Sequence, residues 1–201
     1  MSDKFLDKVY TKLNSDETKA IYDAWAESYE AEIAANGYVT PRRCAEALAA
    51  CVDDLSAPML DFGCGTGLSG LALRLAGFST IDGRDLSDGM IAQAETKAVY
   101  RTLETIHADA PLPTGYTAIS AIGVIGLGGA PLNVLDRMID ALPSGGLAVF
   151  SFNDHTLSDP SYESTVDRYI VDGIVRERFR EYGEHLPKKN MKSTVYVIEK
   201  T

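Results

Sequence analysis

Asp61-Phe62-Gly63-Cys64-Gly65-Thr66-Gly67 is the stretch of this chain that decides its fold. It ends a short apolar run, Met59 to Phe62, which predicts a buried strand, and it leads into Gly67 to Ala76, which predicts a helix. Glycines at such a junction let the backbone turn sharply and let a ligand approach closely, since a Cβ would fill that space. The stretch therefore predicts a ligand-binding turn between a strand and a helix.

Short apolar strands alternate with helical stretches from about Pro58 to Phe152, which predicts a parallel sheet covered by helices on both faces. Two extended segments, 174–182 and 193–199, predict a closing antiparallel hairpin whose turn involves Gly183 and Pro187 to Asn190. The first fifty or so residues have helical periodicity. Together these patterns predict an α/β, Rossmann-like, doubly wound fold: a mostly parallel seven-stranded sheet with an antiparallel C-terminal hairpin and a helical N-terminal cap.

The length of 201 residues predicts one domain. Its expected parts are a helical cap at 1–55, a cofactor-binding core at 56–152, and a C-terminal helix with the hairpin at 153–201. The first residues, Met1 to Lys8, contain no apolar signal core, and no apolar run approaches the roughly 20 residues that span a bilayer. We therefore expect a cytoplasmic protein with no membrane partner.

Charge and cysteine content exclude two further classes of site. The net charge of −10 disfavours a nucleic-acid partner, because such affinity comes mainly from Lys and Arg. The cysteines Cys44, Cys51 and Cys64 have neither the spacing of a disulfide framework nor that of a zinc site, so we expect no metal.

The glycine loop alone is ambiguous about its ligand. Gly65-x-Gly67-x-x-Gly70 also spells the dinucleotide fingerprint, which leaves an NAD-dependent oxidoreductase as an alternative. Asp61 discriminates, because a carboxylate beside the loop would repel a pyrophosphate. S-adenosylmethionine carries a sulfonium and an ammonium and no phosphate. An acid at this position can attract those cations or fix the loop by accepting backbone N–H bonds.

A second carboxylate is expected at the end of the second strand, where its two oxygens would accept from both ribose hydroxyls. Asp85 lies there, eighteen residues past Gly67. Leu86 is then placed to pack on the adenine ring, and Met90 falls in the first turn of the next helix. In Ala108-Asp109-Ala110, Asp109 would accept from the adenine amino group and the Ala110 N–H would donate to a ring nitrogen.

These motifs resemble those of small class I methyltransferases over about Pro58 to Phe152. The family's acid-x-Gly-x-Gly-x-Gly pattern is met by Asp61 to Gly67, its ribose acid by Asp85, and its adenine acid by Asp109. Ala141 to Gly146 is similar to the family's Leu-x-Pro-Gly-Gly turn. The segment Tyr22 to Tyr29, with Gly37-Tyr38-x-x-Pro41 after it, resembles the Williams-Beuren-region methyltransferase subfamily.

Two departures from the family pattern bear on the acceptor. The segment Gly123 to Gly129 has neither the His nor the acid that relatives often place after the fourth strand. The chain also lacks the Asn/Asp-Pro-Pro-Tyr/Phe signature of relatives that methylate amides and exocyclic amines, which disfavours N6-adenine and glutamine as acceptors.

The resemblance implies transfer of a methyl group from S-adenosylmethionine to an oxygen or nitrogen of a small molecule, by in-line displacement. Residues expected to hold the donor are Asp61, Gly63, Cys64, Gly65, Gly67, Asp85, Leu86, Met90, Ala108, Asp109, Ala110, Gly123, Tyr22 and Tyr29. Tyr22, Tyr29 or Arg42 would take the donor's carboxylate.

Trp25, Val124 and Asn153 are expected in the acceptor pocket. His155, or Asp154, is the hypothesised base, since the unperturbed imidazole pKa of about 6.5 suits proton transfer near neutrality. A regulatory protein that binds S-adenosylmethionine without turnover remains a further alternative, and the sequence gives no oligomeric state.

Overall fold

The computed structural model describes residues 14–201, so the Met1 to Lys8 segment lies outside the described residues. Two helices form the N-terminal cap: α1 (Ser15–Ala35) and α2 (Thr40–Ala49). α1 begins at a capping box, in which Asn14 Oδ1 accepts from the Glu17 N–H while Glu17 accepts from the Asn14 N–H, each over 2.9 Å. Within residues 14–201 no helix is both long and apolar enough to cross a bilayer.

Seven strands of the described chain form one sheet, in the order β3-β2-β1-β4-β5-β7-β6. They are β1 (Met59–Phe62), β2 (Ile81–Asp85), β3 (Thr102–Thr105), β4 (Ala118–Ala121), β5 (Leu147–Asn153), β6 (Val175–Leu186) and β7 (Met191–Lys200). β1 to β5 run parallel, whereas β7 is antiparallel to both β5 and β6. The predicted fold, including the antiparallel hairpin and the helical cap, is confirmed.

Helices cover both faces of the sheet. They are α3 (Leu68–Leu75), α4 (Asp88–Glu95), α5 (Val134–Ala141), the short α6 (Asp154–Leu157) and α7 (Pro160–Val171). On one face, Met138 of α5 and Val166 of α7 pack in a core cluster with Phe150 of β5. On the other, Leu48 of α2 and Leu73 of α3 belong to the cluster that contains Val149. Consecutive residues of β5 thus fill opposite cores, as pleating requires.

The structure differs from the predicted element bounds at three places. The pattern of residues 88–101 predicts a helix over that stretch, but α4 ends at Glu95, since Ala98 takes a positive φ of 52° and the chain turns back toward the sheet. The pattern predicts a third strand over 103–108 with Asp109 at its end, but β3 ends at Thr105 and leaves Asp109 in the following loop. Gly183 lies inside β6, and the hairpin turns at Pro187–Lys189 and Asn190.

A polar joint connects α1 to the start of α4. Asp23 of α1 accepts a short hydrogen bond from the Ser87 hydroxyl and a second bond, of 3.2 Å, from the Gly89 N–H. Lys19, one turn earlier, pairs with Asp23 and with Asp88. The Ser87 hydroxyl also accepts from the Met90 N–H and so forms the N-cap of α4. Through Ser87, α1 is held against the segment between β2 and α4.

Candidate functional site

A cavity of about 700 Å³ lies at the carboxyl ends of β1, β2 and β4, beneath α1. This volume lies within the range of roughly 300–1,000 Å³ that is usual for small-molecule sites. Open α/β sheets bind ligands at this edge, where the strand order reverses between β1 and β4.

The glycine loop forms part of the wall of this cavity. Gly63, Gly65 and Gly67 have φ angles of 69°, 54° and 92°, the left-handed region that glycine adopts without strain. A Cβ on Gly65 would meet no atom within 4 Å, so the loop keeps an open face toward the cavity. The N–H groups of Gly63 and Cys64 donate to the Arg84 carbonyl over 2.7 and 3.0 Å, which fixes the loop against β2.

Asp85 lies across from the glycine loop at the end of β2. Its Oδ2 accepts from the Gly65 N–H over 2.8 Å, and its Oδ1 accepts from the Ser87 N–H over 2.9 Å. Burial raises the pKa of this carboxyl, although those hydrogen bonds oppose the shift. A carboxylate that is held from two sides and lines the cavity can accept further bonds from paired hydroxyl groups.

Asp61 has a different place from the one predicted. Its carboxylate is fully buried and does not line the cavity. Its hydrogen bonds come from three hydroxyl groups, those of Ser69, Tyr100 and Ser120, over 2.6 to 2.8 Å. The expected contact with ligand cations or with loop N–H groups is therefore not what the structure shows. Asp61 instead connects β1 to α3, β4 and the segment before β3, and burial raises its pKa.

Most of the residues that were predicted to bind S-adenosylmethionine lie in the wall of the larger cavity. They are Gly63, Cys64, Gly65, Asp85, Leu86, Met90, Ala108, Asp109, Gly123, Tyr22 and Tyr29.

Gly67 and Ala110, like Asp61, were predicted to bind S-adenosylmethionine but do not line the larger cavity. Gly67 precedes α3, and a Cβ there would meet Ala94 at 3.2 Å, so its absent side chain serves helix packing. The Ala110 N–H donates to the His107 carbonyl and is not available to an adenine nitrogen. Arg42 is exposed, pairs with Glu46, and lies outside the lining as well.

The residues present fit S-adenosylmethionine. The Thr66 hydroxyl lines the cavity, is buried, and has no hydrogen-bond partner among residues 14–201. Since buried polar groups are normally hydrogen-bonded, a polar ligand in the cavity would supply the partner. Lys19 and Arg137 also line the cavity, but Lys19 pairs with Asp23 and Asp88, and Arg137 donates to the carbonyls of Ala108 and Ala110. Among the described residues the lining thus carries the Asp85 carboxylate, whereas its cationic side chains, Lys19 and Arg137, are engaged within the protein.

A smaller cavity of about 60 Å³ adjoins the larger one. Tyr22, Tyr29 and Val124 line both, so the two spaces share a wall formed by α1 and the loop after β4. Trp25 and Asn153 line the smaller cavity. The structure thus brings together the three residues that the sequence predicted for the acceptor pocket.

Comparison with known proteins decides the family. The family model described as a methyltransferase domain matches residues 36–190 of this chain. The chain belongs to this methyltransferase family. Its membership confirms the predicted enzyme class, a class I S-adenosylmethionine-dependent methyltransferase, and the predicted cofactor. The human methyltransferase-like protein 27 is 31% identical over 162 residues, which are 76% of this chain. The chain spans 66% of the length of that relative.

Solved structures share the fold of this methyltransferase. The (4+2)-cyclase SpnF superposes with a TM-score of 0.70 at 14% identity, over 94% of this chain and 97% of its own. Magnesium protoporphyrin IX methyltransferase from Synechocystis, solved with bound S-adenosylmethionine, gives a TM-score of 0.57 at 15% identity, over 98% and 90% of the two chains. At these identities the likeness shows the fold alone, and SpnF shows that the fold is not restricted to proteins described as methyltransferases.

The structure does not bring His155 or Asp154 of the methyltransferase to either cavity. Asp154 Oδ1 accepts from the Tyr182 hydroxyl over 2.8 Å, and Oδ2 accepts from the Lys192 N–H over 2.7 Å, so this carboxylate joins α6 to the hairpin. His155 is exposed on α6. The hypothesis that either acts as the base loses its geometric support, because the chain turns into a helix directly after Asn153.

Sequence reasoning missed His185 of β6. This side chain is buried, lines the smaller cavity, and packs edge-on against the Tyr38 ring, with 5.2 Å between ring centroids. Its Nδ1 lies 2.8 Å from the Thr40 hydroxyl. The signal in the sequence was weak, since His185 follows the predicted extended segment 174–182 and lies between Gly183 and Pro187 of the predicted turn.

Burial lowers the pKa of His185 to about 4. Arg43 and His155 also lower this pKa, and Asp154 raises it. Between about pH 4 and 6.5 the unfolded chain therefore binds more protons at this site than the folded chain, so stability falls as the pH falls through this window.

We expect wild type to lose about 2 kcal/mol more of its free energy of unfolding than His185→Gln between pH 7.5 and 5.0. Urea denaturation of both proteins at the two pH values measures this difference. Equal losses would mean that His185 is not a buried neutral imidazole. His107→Gln, at an exposed site outside the smaller cavity, is the control that should track wild type.

Proposed function

We propose that this protein transfers the methyl group of S-adenosylmethionine to an oxygen or nitrogen atom of a small-molecule acceptor. The observation that carries the proposal is the pair of adjoining cavities. One is walled by the glycine loop and Asp85, and the other continues from it beneath α1. A donor in the first would have its acceptor beside it in the second.

Each part of the larger cavity has a proposed role toward the donor. Asp85 would accept hydrogen bonds from the ribose hydroxyls, Leu86 would pack on the adenine, and Asp109 would accept from the adenine amino group. The Thr66 hydroxyl and the open face at Gly65 would receive the polar end of the donor. When bound, the donor supplies a methyl group on a sulfonium, whose leaving group is a neutral thioether.

The chain's part in the reaction would be to position the acceptor and to exclude water. Tyr22 and Tyr29, which flank Trp25 on α1, line both cavities, with ring centroids 5.9 and 4.6 Å from that of Trp25. These rings supply an apolar, rigid wall at the junction where the methyl group would cross. The small volume of the second cavity supports a small acceptor, and the net charge of −10 argues against nucleic acid.

Two measurements test the proposal. In calorimetry, the protein should bind S-adenosylmethionine and S-adenosylhomocysteine but not NAD. In a cell extract supplied with methyl-labelled S-adenosylmethionine, the protein should transfer label to the low-mass fraction.

Label that appears in protein or nucleic acid would contradict the small-molecule acceptor, and NAD binding without donor binding would contradict the whole proposal. Donor binding with no labelled product in extracts would favour a protein that binds S-adenosylmethionine without methyl transfer, an alternative that the outward position of His155 keeps open.

A further inference from the structure

His185 lies at an irregularity of the C-terminal hairpin. Glu184 pairs with Lys192 and Leu186 pairs with Met191, so the register shifts across His185 and leaves this residue without a partner on β7. Its carbonyl instead accepts from the Val39 N–H over 3.1 Å. Such a bulge re-aims a side chain, and bulges are common beside active sites. Here the imidazole becomes part of the wall of the smaller cavity.

A chain of hydrogen bonds fixes which ring nitrogen of His185 carries the proton. Arg43 Nη1 lies 3.2 Å from Ser193 Oγ, and a guanidinium can only donate. Ser193 Oγ lies 3.3 Å from Thr40 Oγ1, which lies 2.8 Å from His185 Nδ1. Gly183 makes room for the start of this chain, because a Cβ there would lie 2.8 Å from Arg43 Nη2.

The direction of this chain follows from the buried hydroxyls. Ser193 and Thr40 are fully buried, and among residues 14–201 Thr40 Oγ1 is the acceptor within reach of the Ser193 hydroxyl hydrogen. Ser193 therefore donates to Thr40, and Thr40 donates to His185 Nδ1. Since Nδ1 accepts, the neutral ring carries its hydrogen on Nε2, which has no hydrogen-bond partner among the described residues.

Asn153 supplies a second hydrogen-bond donor to the smaller cavity. Its Oδ1 accepts from the Thr156 N–H over 3.0 Å and from the Thr156 hydroxyl over 3.2 Å. A backbone N–H must meet an acceptor, so this contact fixes the orientation of the amide. The Nδ2 group, with two hydrogens, has no hydrogen-bond partner within residues 14–201.

The size and charge of the smaller cavity limit what these donors can meet. Its volume of about 60 Å³ is less than a tenth of the about 700 Å³ of the larger cavity, so it admits a small group of a ligand and not a whole one. No Asp, Glu, Lys or Arg of the described chain lines it, and Trp25, Ile33 and Leu186 make much of its wall apolar. The space suits a small oxygen-bearing group on an apolar frame.

We propose that the smaller cavity is an oxygen-binding pocket, in which His185 Nε2 and Asn153 Nδ2 donate hydrogen bonds to a carbonyl or carboxylate oxygen of the methyl acceptor. This inference rests on the proposed function for its acceptor. His185 is then a specificity-determining residue and not the base, because a nitrogen that donates cannot also take a proton.

Nuclear magnetic resonance on the complex with S-adenosylhomocysteine tests the pocket directly. The ¹⁵N-labelled imidazole of His185 should show a one-bond N–H correlation at Nε2 and none at Nδ1. Three probes of similar shape then compare oxygen chemistry: acetophenone with a carbonyl, benzoate with a carboxylate, and α-methylstyrene with neither. We expect at least one of the oxygen-bearing probes to bind about 3- to 10-fold more tightly than α-methylstyrene and to shift the Nε2 signal.

Variants separate the donors from the fold. His185→Phe should abolish the preference for the oxygen probes, and His185→Gln, which keeps an amide donor, should retain part of it. Asn153→Asp keeps the cap on Thr156 but replaces the donor with a carboxylate, so it should weaken benzoate more than acetophenone. A preference for acetophenone identifies a carbonyl acceptor, and a preference for benzoate identifies a carboxylate.

A correlation at Nδ1 in the wild type, or equal affinity for all three probes, would overturn the oxygen pocket without the need for any variant. Failure of S-adenosylhomocysteine to bind would instead contradict the proposed function, and the tautomer of His185 would still be read in the free protein.

Discussion

Replacement of Asp61 by Ala is expected to lower the free energy of unfolding by about 3–5 kcal/mol, although this side chain does not touch the cavity. The carboxylate accepts from the hydroxyls of Ser69, Tyr100 and Ser120, and truncation leaves those buried groups without an acceptor. Tyr100 also accepts from the Gly70 N–H over 3.1 Å, so the loss extends into α3. Urea denaturation at pH 7 measures the change.

Asp61→Asn is the matched control. It preserves the shape and one oxygen acceptor, so its cost should be smaller, about 1–3 kcal/mol. At a temperature where this variant is folded, its affinity for S-adenosylhomocysteine should remain within about threefold of wild type, because no ligand contact is removed. A large loss of affinity with normal stability would show that Asp61 faces the ligand after all.

Asp85→Asn should affect ligand affinity more than stability, in contrast to the Asp61 variants. The loss of two charge-assisted hydrogen bonds to the ribose hydroxyls, at about 1.5 kcal/mol each, predicts binding of S-adenosylhomocysteine about 100-fold weaker than that of wild type. The amide also places N–H groups against those of Gly65 or Ser87, which now donate to the carboxylate. Calorimetry measures the affinity, and urea denaturation shows whether the variant remains folded.

Glu95→Gln is the control for Asp85→Asn. It removes a charge of the same sign from the exposed end of α4, outside the lining of the cavity. Its affinity should equal that of wild type. If Asp85→Asn bound as well as this control, Asp85 would not be the ribose residue.

The first strand and the glycine loop were predicted well, because each is a local pattern, whereas the contacts of Asp61 were not. The alternation of strands and helices was sufficient for the sheet, and the φ angles of Gly63, Gly65 and Gly67 confirm why glycine is needed in the turn. The partners of Asp61 could not be read locally, since Ser69, Tyr100 and Ser120 come from three separate segments. Only the folded chain brings them to one carboxylate.

The acceptor side was predicted in part for a related reason. Asn153 ends β5 and lines the smaller cavity, as expected from its place at the sheet edge. The chain then enters α6, and the helix turns His155 outward. His155 was chosen as a base by residue type alone, which gives no information about the direction of its side chain. His185 was missed because the extended segment was predicted to end at residue 182, whereas β6 continues to Leu186.

The joint between Asp23 and the start of α4 places the cap on the donor's side of the site. Ser87 donates its N–H to Asp85 and its hydroxyl to Asp23, so one residue touches both the Asp85 carboxylate and α1. If S-adenosylmethionine binds Asp85 as proposed, its binding also favours the observed position of α1, whose aromatic rings line the second cavity. By thermodynamic reciprocity, an occupant of the second cavity must tighten donor binding by the same factor. Such coupling favours the complex of both ligands whichever of them binds first, so the joint makes donor and acceptor binding mutually supportive without setting their order.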